Sequence, residues 1–169
     1  MNIKHRHFIK GSEIKELKED ILKQYDKDFV DKLFPKKAKI EIIITEDGDS
    51  LFAVNNELKL WKSKDGYIPI LTELLNKRIK LKEIVVDKGA IRFVANRADV
   101  MRPGIVKIDP TIKKGDIVQI VDENHGRPLA VGKALFDADE MQKKTSGKVV
   151  KNLHTVKKDS VWNFAKQFK

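Results

Sequence analysis

The stretch VVDKGAIRFVANRADVMRPGI, residues 85–105, decides how the rest of the chain is read. Asp87 stands where a helix N-cap belongs, and Ile91, Val94, Ala95 and Ala98 follow at i, i+3, i+4 and i+7, the apolar stripe of a short helix facing a core. Fourfold spacing lines up Lys88, Arg92 and Asn96 on the opposite face. Arg97, Asp99, Met101 and Arg102 come next, and Pro103-Gly104 stops the helix and turns the chain into the apolar run Ile105–Ile108. Two rows of donors are therefore expected to meet at one exposed corner, its loop shaped by Asp99 and the backbone around Val100 and Gly104. Guanidinium and ammonium groups beside an exposed amide suit phosphates and unpaired bases, because arginine offers a planar fork and asparagine both donates and accepts. The competing reading is a solvated helix face that only keeps the protein soluble.

Downstream, Lys113–Asp116 reads as a turn into a strand at Ile117–Val121, and Asn124–Pro128 as a turn into a second at Leu129–Leu135. Gly132 inside that strand marks a bulge or a close backbone approach. One helical turn at Asp137–Gln142, a loop at Ser146-Gly147 and a strand at Lys148–Val156 complete the pattern of a compact β-barrel. In the tail, Val161, Trp162, Ala165 and Phe168 fit a helix, while Trp162, Phe164 and Phe168 fit one face of a strand.

Upstream, Ile3–Ile9 reads as a short basic strand. Ser12 is expected to cap a helix in which Ile14, Leu17, Ile21, Leu22 and Tyr25 face a core, and Phe29, Val30, Leu33 and Phe34 extend that surface as a helical hairpin or bent helix up to Pro35. Three strands follow, at Lys39–Thr45, Ser50–Val54 and Leu58–Lys62, joined by Asp47-Gly48 and Asn55-Asn56 turns and ended by Asp65-Gly66. Ile68–Leu75 is expected to be helical, with Pro69 near its start and Asn76 as its stop. A domain boundary is placed at Lys77–Leu81.

Composition narrows the partners. Zero cysteines exclude disulfides, thiolate catalysis and cysteine-bound zinc within the chain. No apolar run approaches the roughly 18 residues of a membrane span, and the basic N-terminus lacks a signal-peptide core, so a cytoplasmic protein with no membrane partner is expected. The net charge is +10, and it is uneven: residues 1–80 carry 17 basic and 14 acidic groups, residues 81–169 carry 18 and 11. A polyanion is the natural partner for such a field, because neutralising phosphates releases counterions.

The run of residues 85–105, followed by KKGDIVQIVDENHGRPLAVGKAL (113–135), SGKVVKNLHTV (146–156) and a tryptophan near the end, resembles the PUA domain, an RNA-binding fold named after pseudouridine synthases and archaeosine transglycosylases. The whole chain is similar to archaeal relatives of the malignant T-cell amplified sequence protein, which also occurs fused within ligatin. The family usually carries glycine where this chain has Arg97. The resemblance implies an α+β protein: an N-terminal mixed α/β pre-PUA domain at residues 1–81, then a PUA pseudo-barrel, mainly β with one short helix, at residues 82–169. It favours a barrel-closing strand around Trp162.

It also implies a translation factor at the small ribosomal subunit, in contact with its rRNA or with tRNA, and an initiation-factor-like protein partner on the N-terminal domain. Trp61 or Phe52 would serve that docking if exposed; core packing is the simpler expectation for both. The RNA-binding candidates are Lys88, Arg92, Asn96, Arg97, Asp99, Val100, Met101, Arg102 and Gly104, with His154 on a strand that would border the RNA groove.

Catalytic signatures are missing. There is no phosphate-cradling glycine-lysine loop, no dinucleotide fingerprint, no His-Glu-x-x-His helix and no Gly-x-Ser-x-Gly elbow. His5 and His7 share a strand face but lack a third ligand, so no metal is expected, nor any cofactor or enzymatic activity. An alternative role is an accessory RNA-binding subunit for an rRNA- or tRNA-modifying enzyme.

Overall fold

The computed structural model describes residues 1–169. In chain order the elements are β1 (Ile3–Phe8), α1 (Gly11–Leu22), α2 (Lys27–Leu33), β2 (Ile40–Thr45), β3 (Ser50–Val54), β4 (Glu57–Ser63), β5 (Gly66–Pro69) and α3 (Leu71–Leu75). After the linker come β6 (Glu83–Val86), α4 (Lys88–Ala95), β7 (Val100–Met101), a 3₁₀ turn at Arg102–Gly104, β8 (Ile105–Ile108), β9 (Ile117–Asp122), β10 (Pro128–Ala134), α5 (Ala138–Lys143), β11 (Lys148–Thr155) and α6 (Ser160–Gln167). No helix is long and apolar enough to cross a membrane. The chain is an α+β protein, as expected.

The first sheet is an antiparallel meander in the order β1-β2-β3-β4-β5. Asn55 and Asn56 supply positive φ angles of 51° and 70° in the turn between β3 and β4, the backbone that a two-residue hairpin requires. Helices α1 and α2 cover one face through Leu17, Ile21, Phe29, Val30 and Leu33. The second sheet runs β7-β11-β10-β9-β6-β8, with β6 parallel to β9 and every other pair antiparallel. Its core gathers Ile84, Val86, Val94, Val118, Ile120 and Val150 among others.

Gly132 lies where β10 slips register against β11, and a Cβ built there would stand 2.6 Å from Val150 Cγ1 and 2.7 Å from the Lys151 carbonyl. Gly132→Ala should therefore destabilise the protein by about 2 kcal/mol through overpacking. Chemical denaturation of the two proteins side by side checks this; equal midpoints would show that the strands can part without cost.

Three local expectations are corrected. Helix α1 starts at Gly11 with Lys10 as its N-cap and no side-chain cap, so Ser12 lies inside it. The segment from Gly66 is first a strand, β5, because Pro69 ends an edge strand where no ladder donor is needed; the helix begins only at Leu71 and stops at Asn76. The tail is helix α6 and not a barrel-closing strand around Trp162. Asp159 accepts the Trp162 N–H at 2.7 Å and so caps it, while Val161, Phe164, Ala165 and Phe168 pack on Ile43, Leu51, Leu58 and Ile70 of the first domain.

Phe52 is 4% exposed, and Trp61 packs between two clusters of the core with its indole N–H on Asp49 at 3.2 Å. Neither forms a surface patch. The two halves share one apolar cluster, in which Ile117, Val131 and Leu153 of the second sheet meet Leu71, Leu74, Ile79 and Leu81. This cluster runs from one domain into the other without a break.

Candidate nucleic-acid interface

Helix α4 forms with the expected cap but ends at Ala95, because the left-handed Arg97 turns the chain, so Ala98 lies beyond the helix. Asp87 has extended backbone and accepts the Ala90 N–H at 3.0 Å; Val94 and Ala95 are buried, and Ala90 and Ile91 pack against the same core. Gly104 lies beneath it, with only 3.0 Å between the Ala90 methyl and a Cβ built at Gly104. The opposite face is solvated. Lys88, Arg92, Phe93 and Asn96 are all exposed, and neither Lys88 nor Arg92 lies within ion-pair distance of a carboxylate. The Arg92 guanidinium sits 4.9 Å from the Phe93 ring centroid, and the Asn96 amide donates to the Arg92 carbonyl at 2.8 Å.

Phe93 is the residue that the sequence reading missed. It is 54% exposed, and Met101 beside it is 50% exposed. Between them lies an apolar recess of about 250 Å³ walled by Ala90, Val94, Ala98 and Val100. A ring held open to solvent next to a guanidinium is a surface on which a base can stack.

The remaining candidates divide. Arg97 has a φ of 78°, a conformation that glycine adopts without strain, and its guanidinium reaches Asp159 at 3.4 Å while staying half exposed. Arg97→Gly should therefore be more stable than Arg97→Ala by about 1 kcal/mol, since both lose the guanidinium and only one relieves the backbone. Thermal melts of the pair check this; equal melting points would contradict it.

Arg102 is turned inward, against the expectation of a free donor. Its Nε donates to the Met141 carbonyl at 2.7 Å and its NH1 to the Ile105 carbonyl at 3.2 Å, which pins α5 to the 3₁₀ turn. Asp99 accepts the Asn152 N–H at 2.9 Å and pairs with Lys148 at 3.4 Å. Val100 is buried.

His154 is withdrawn from the surface altogether. At 0% exposure its Nε2 accepts the Leu71 N–H at 3.1 Å, which places the proton on Nδ1, where it donates to Asp159 at 3.2 Å. The neutral ring lies edge-on to both Trp61 and Trp162, at 6.4 and 6.3 Å, in the middle of the domain interface. Burial raises the Asp159 pKa, but hydrogen bonds from His154 and from the Trp162 and Thr155 N–H groups outweigh it and hold the carboxylate below its usual range. His5 and His7 do stack, with centroids 5.6 Å apart, on the exposed strand β1.

Two family models match the chain: the Pre-PUA-like domain over residues 1–77 and the PUA domain over residues 82–156. An uncharacterized protein of Methanocaldococcus jannaschii is 42% identical over 97% of this chain and 99% of its own length. Translation machinery-associated protein 20 of Saccharomyces cerevisiae is 33% identical over 97% of this chain and 94% of its own. Among solved structures, a hypothetical protein from the hyperthermophilic archaeon Pyrococcus horikoshii superposes with a TM-score of 0.81 at 32% identity, covering 95% of this chain and 99% of that one. The chain therefore belongs to the family that joins a Pre-PUA-like domain to a PUA domain, together with translation machinery-associated protein 20 and malignant T-cell-amplified sequence 1.

Proposed function

We propose that this protein binds RNA through the solvated face of α4 and acts in translation, at the small ribosomal subunit or on tRNA, without altering the RNA chemically. The observation that carries the reading is the pairing of the Lys88 and Arg92 side chains, neither in an ion pair, with the exposed Phe93 and Met101 on the PUA domain. Cations there neutralise phosphates and the ring offers a stacking face, a combination that grips RNA with little demand on sequence. Arg97 and Asn96 extend the donor row, while Arg102 and Asp99 hold the loop beneath it. The relatives named for the translation machinery give the reading its destination.

We further propose that the working division of the chain falls at the Lys77–Leu81 linker, with α6 returning to serve the first domain. Sedimentation through sucrose gradients tests the destination. The protein should travel with small ribosomal subunits from its own lysate, and Lys88→Ala with Arg92→Ala should remain at the top of the gradient. Co-migration with an RNA-modifying enzyme in place of subunits would favour the accessory role.

A further inference from the structure

A second basic surface lies apart from α4, in the groove where the two domains meet. The groove holds about 700 Å³ between the end of α3 with its linker and the turn that joins β9 to β10, and Lys77, Lys80, His125 and Arg127 line it beside Glu83 and Gln119. The linker's cations are used selectively. Arg78 is tied to Glu57 at 2.6 Å and to Glu73 at 3.0 Å, whereas its neighbours Lys77 and Lys80 make no ion pair. Lys77 also holds a φ of 57°, a conformation that costs a lysine strain which glycine or asparagine would avoid.

Across the groove, the Asp122 carboxylate accepts the His125 N–H at 2.6 Å and the Arg127 N–H at 3.1 Å, which stiffens the turn while Asn124, His125 and Arg127 project into solvent. Asn124 in turn shares a shallow depression with Lys88 and Arg92 of α4. The cations thus follow one another from α4, over the β9–β10 turn, into the groove. Glu123 flanks the path but accepts the Lys88 N–H at 3.2 Å. The shared apolar cluster and the Leu71 N–H donated to His154 join the two domains that border the path.

We infer that an RNA strand held at α4 continues across the β9–β10 turn into the interdomain groove, where Lys77, Lys80 and Arg127 take its backbone phosphates. This rests on the proposed RNA site at α4 and lengthens it, so the protein reads an extended strand and not a single nucleotide. Fixed cations of this kind supply affinity that grows with strand length and falls steeply with salt.

Fluorescence anisotropy with single-stranded oligouridylate probes of about 4 and about 16 nucleotides, the span of single-domain site sizes, tests it over a salt series. The variant Lys77→Asn, Lys80→Gln, Arg127→Gln keeps the left-handed backbone at position 77 comfortable. It should bind the long probe about 10-fold more weakly and lower the salt slope by about 2, at roughly 0.7 for each phosphate no longer neutralised, while leaving the short probe within twofold. An unchanged long-probe curve, alongside weakened binding by Arg92→Ala, would overturn the groove and leave the α4 site standing. Unchanged binding of both probes by Arg92→Ala would overturn the α4 site and the groove with it. Should the triple variant lose its native circular dichroism, Lys80→Gln alone decides: it should lower the long-probe salt slope by about 0.7 and leave the short probe within twofold, and an unchanged long-probe slope would overturn the groove.

Discussion

Asp159→Ala is expected to lower the melting temperature by about 6–12 °C. Its carboxylate accepts the Trp162 N–H, the Thr155 N–H and the His154 Nδ1–H at 2.7, 2.9 and 3.2 Å, all at the junction of α6, β11 and the first domain. Alanine orphans two buried donors and removes a helix cap, a loss of about 3 kcal/mol, and each kcal/mol moves the melting point of a chain this size by about 2–4 °C. Asp159→Asn keeps one acceptor and should lose about half as much. Because the folded carboxylate sits below its ordinary value of 3.8, its stabilisation is complete above that pH and is lost as acid titrates it through the lowered value. The wild type should therefore weaken more steeply below pH 3.8 than Asp159→Asn does. Melting curves over an acid series check both statements; a shift under about 2 °C for the alanine variant would show that the interface does not depend on this carboxylate.

The second large effect is at the proposed RNA surface. Removing Phe93 and Arg92 together should weaken RNA binding by about 100-fold, since base stacking on an aromatic ring contributes about 1–3 kcal/mol and the guanidinium's hold on a phosphate adds to it. Phe93→Ala alone should reduce affinity with little change in salt slope, whereas Arg92→Ala should flatten the slope by about 0.7. Stability should hold or rise slightly in both, because the ring is more than half exposed. Filter binding at several salt concentrations separates the two contributions. Identical salt slopes for both variants would mean that the ring and the guanidinium do not act on base and phosphate as assigned.

Most of the architecture is legible in the sequence because its punctuation is local. The Asp87 cap and the Asn55-Asn56 turn each act within a few residues of themselves, and each appears where the sequence places it; Gly132 is legible for another reason, since a glycine inside a strand marks a close approach whichever strand supplies the neighbour. The tail misleads because its apolar residues satisfy a strand and a helix equally well over so short a segment; the deciding neighbours are Ile43 and Leu51, far away in sequence. His154 misleads for the same reason, since the amide that fixes its ring belongs to Leu71, 83 residues distant. Arg102 looks free because backbone carbonyls leave no trace in sequence. Phe93 alone carries a usable signal: it falls off the apolar stripe of α4, and an aromatic off the stripe between Arg92 and Asn96 has no core to enter.

Whether α4 presents its polar face to RNA is tested most directly, residue by residue, by titrating the isotopically labelled protein with a single-stranded oligouridylate while recording amide chemical shifts. Lys88 to Arg97 and Met101 should shift first and most, with the Asn124–Arg127 turn following as the probe lengthens, and the exposed strand β1 should stay still. Shifts concentrated on β1 and the first sheet, with α4 unmoved, would contradict the assignment of RNA binding to this helix.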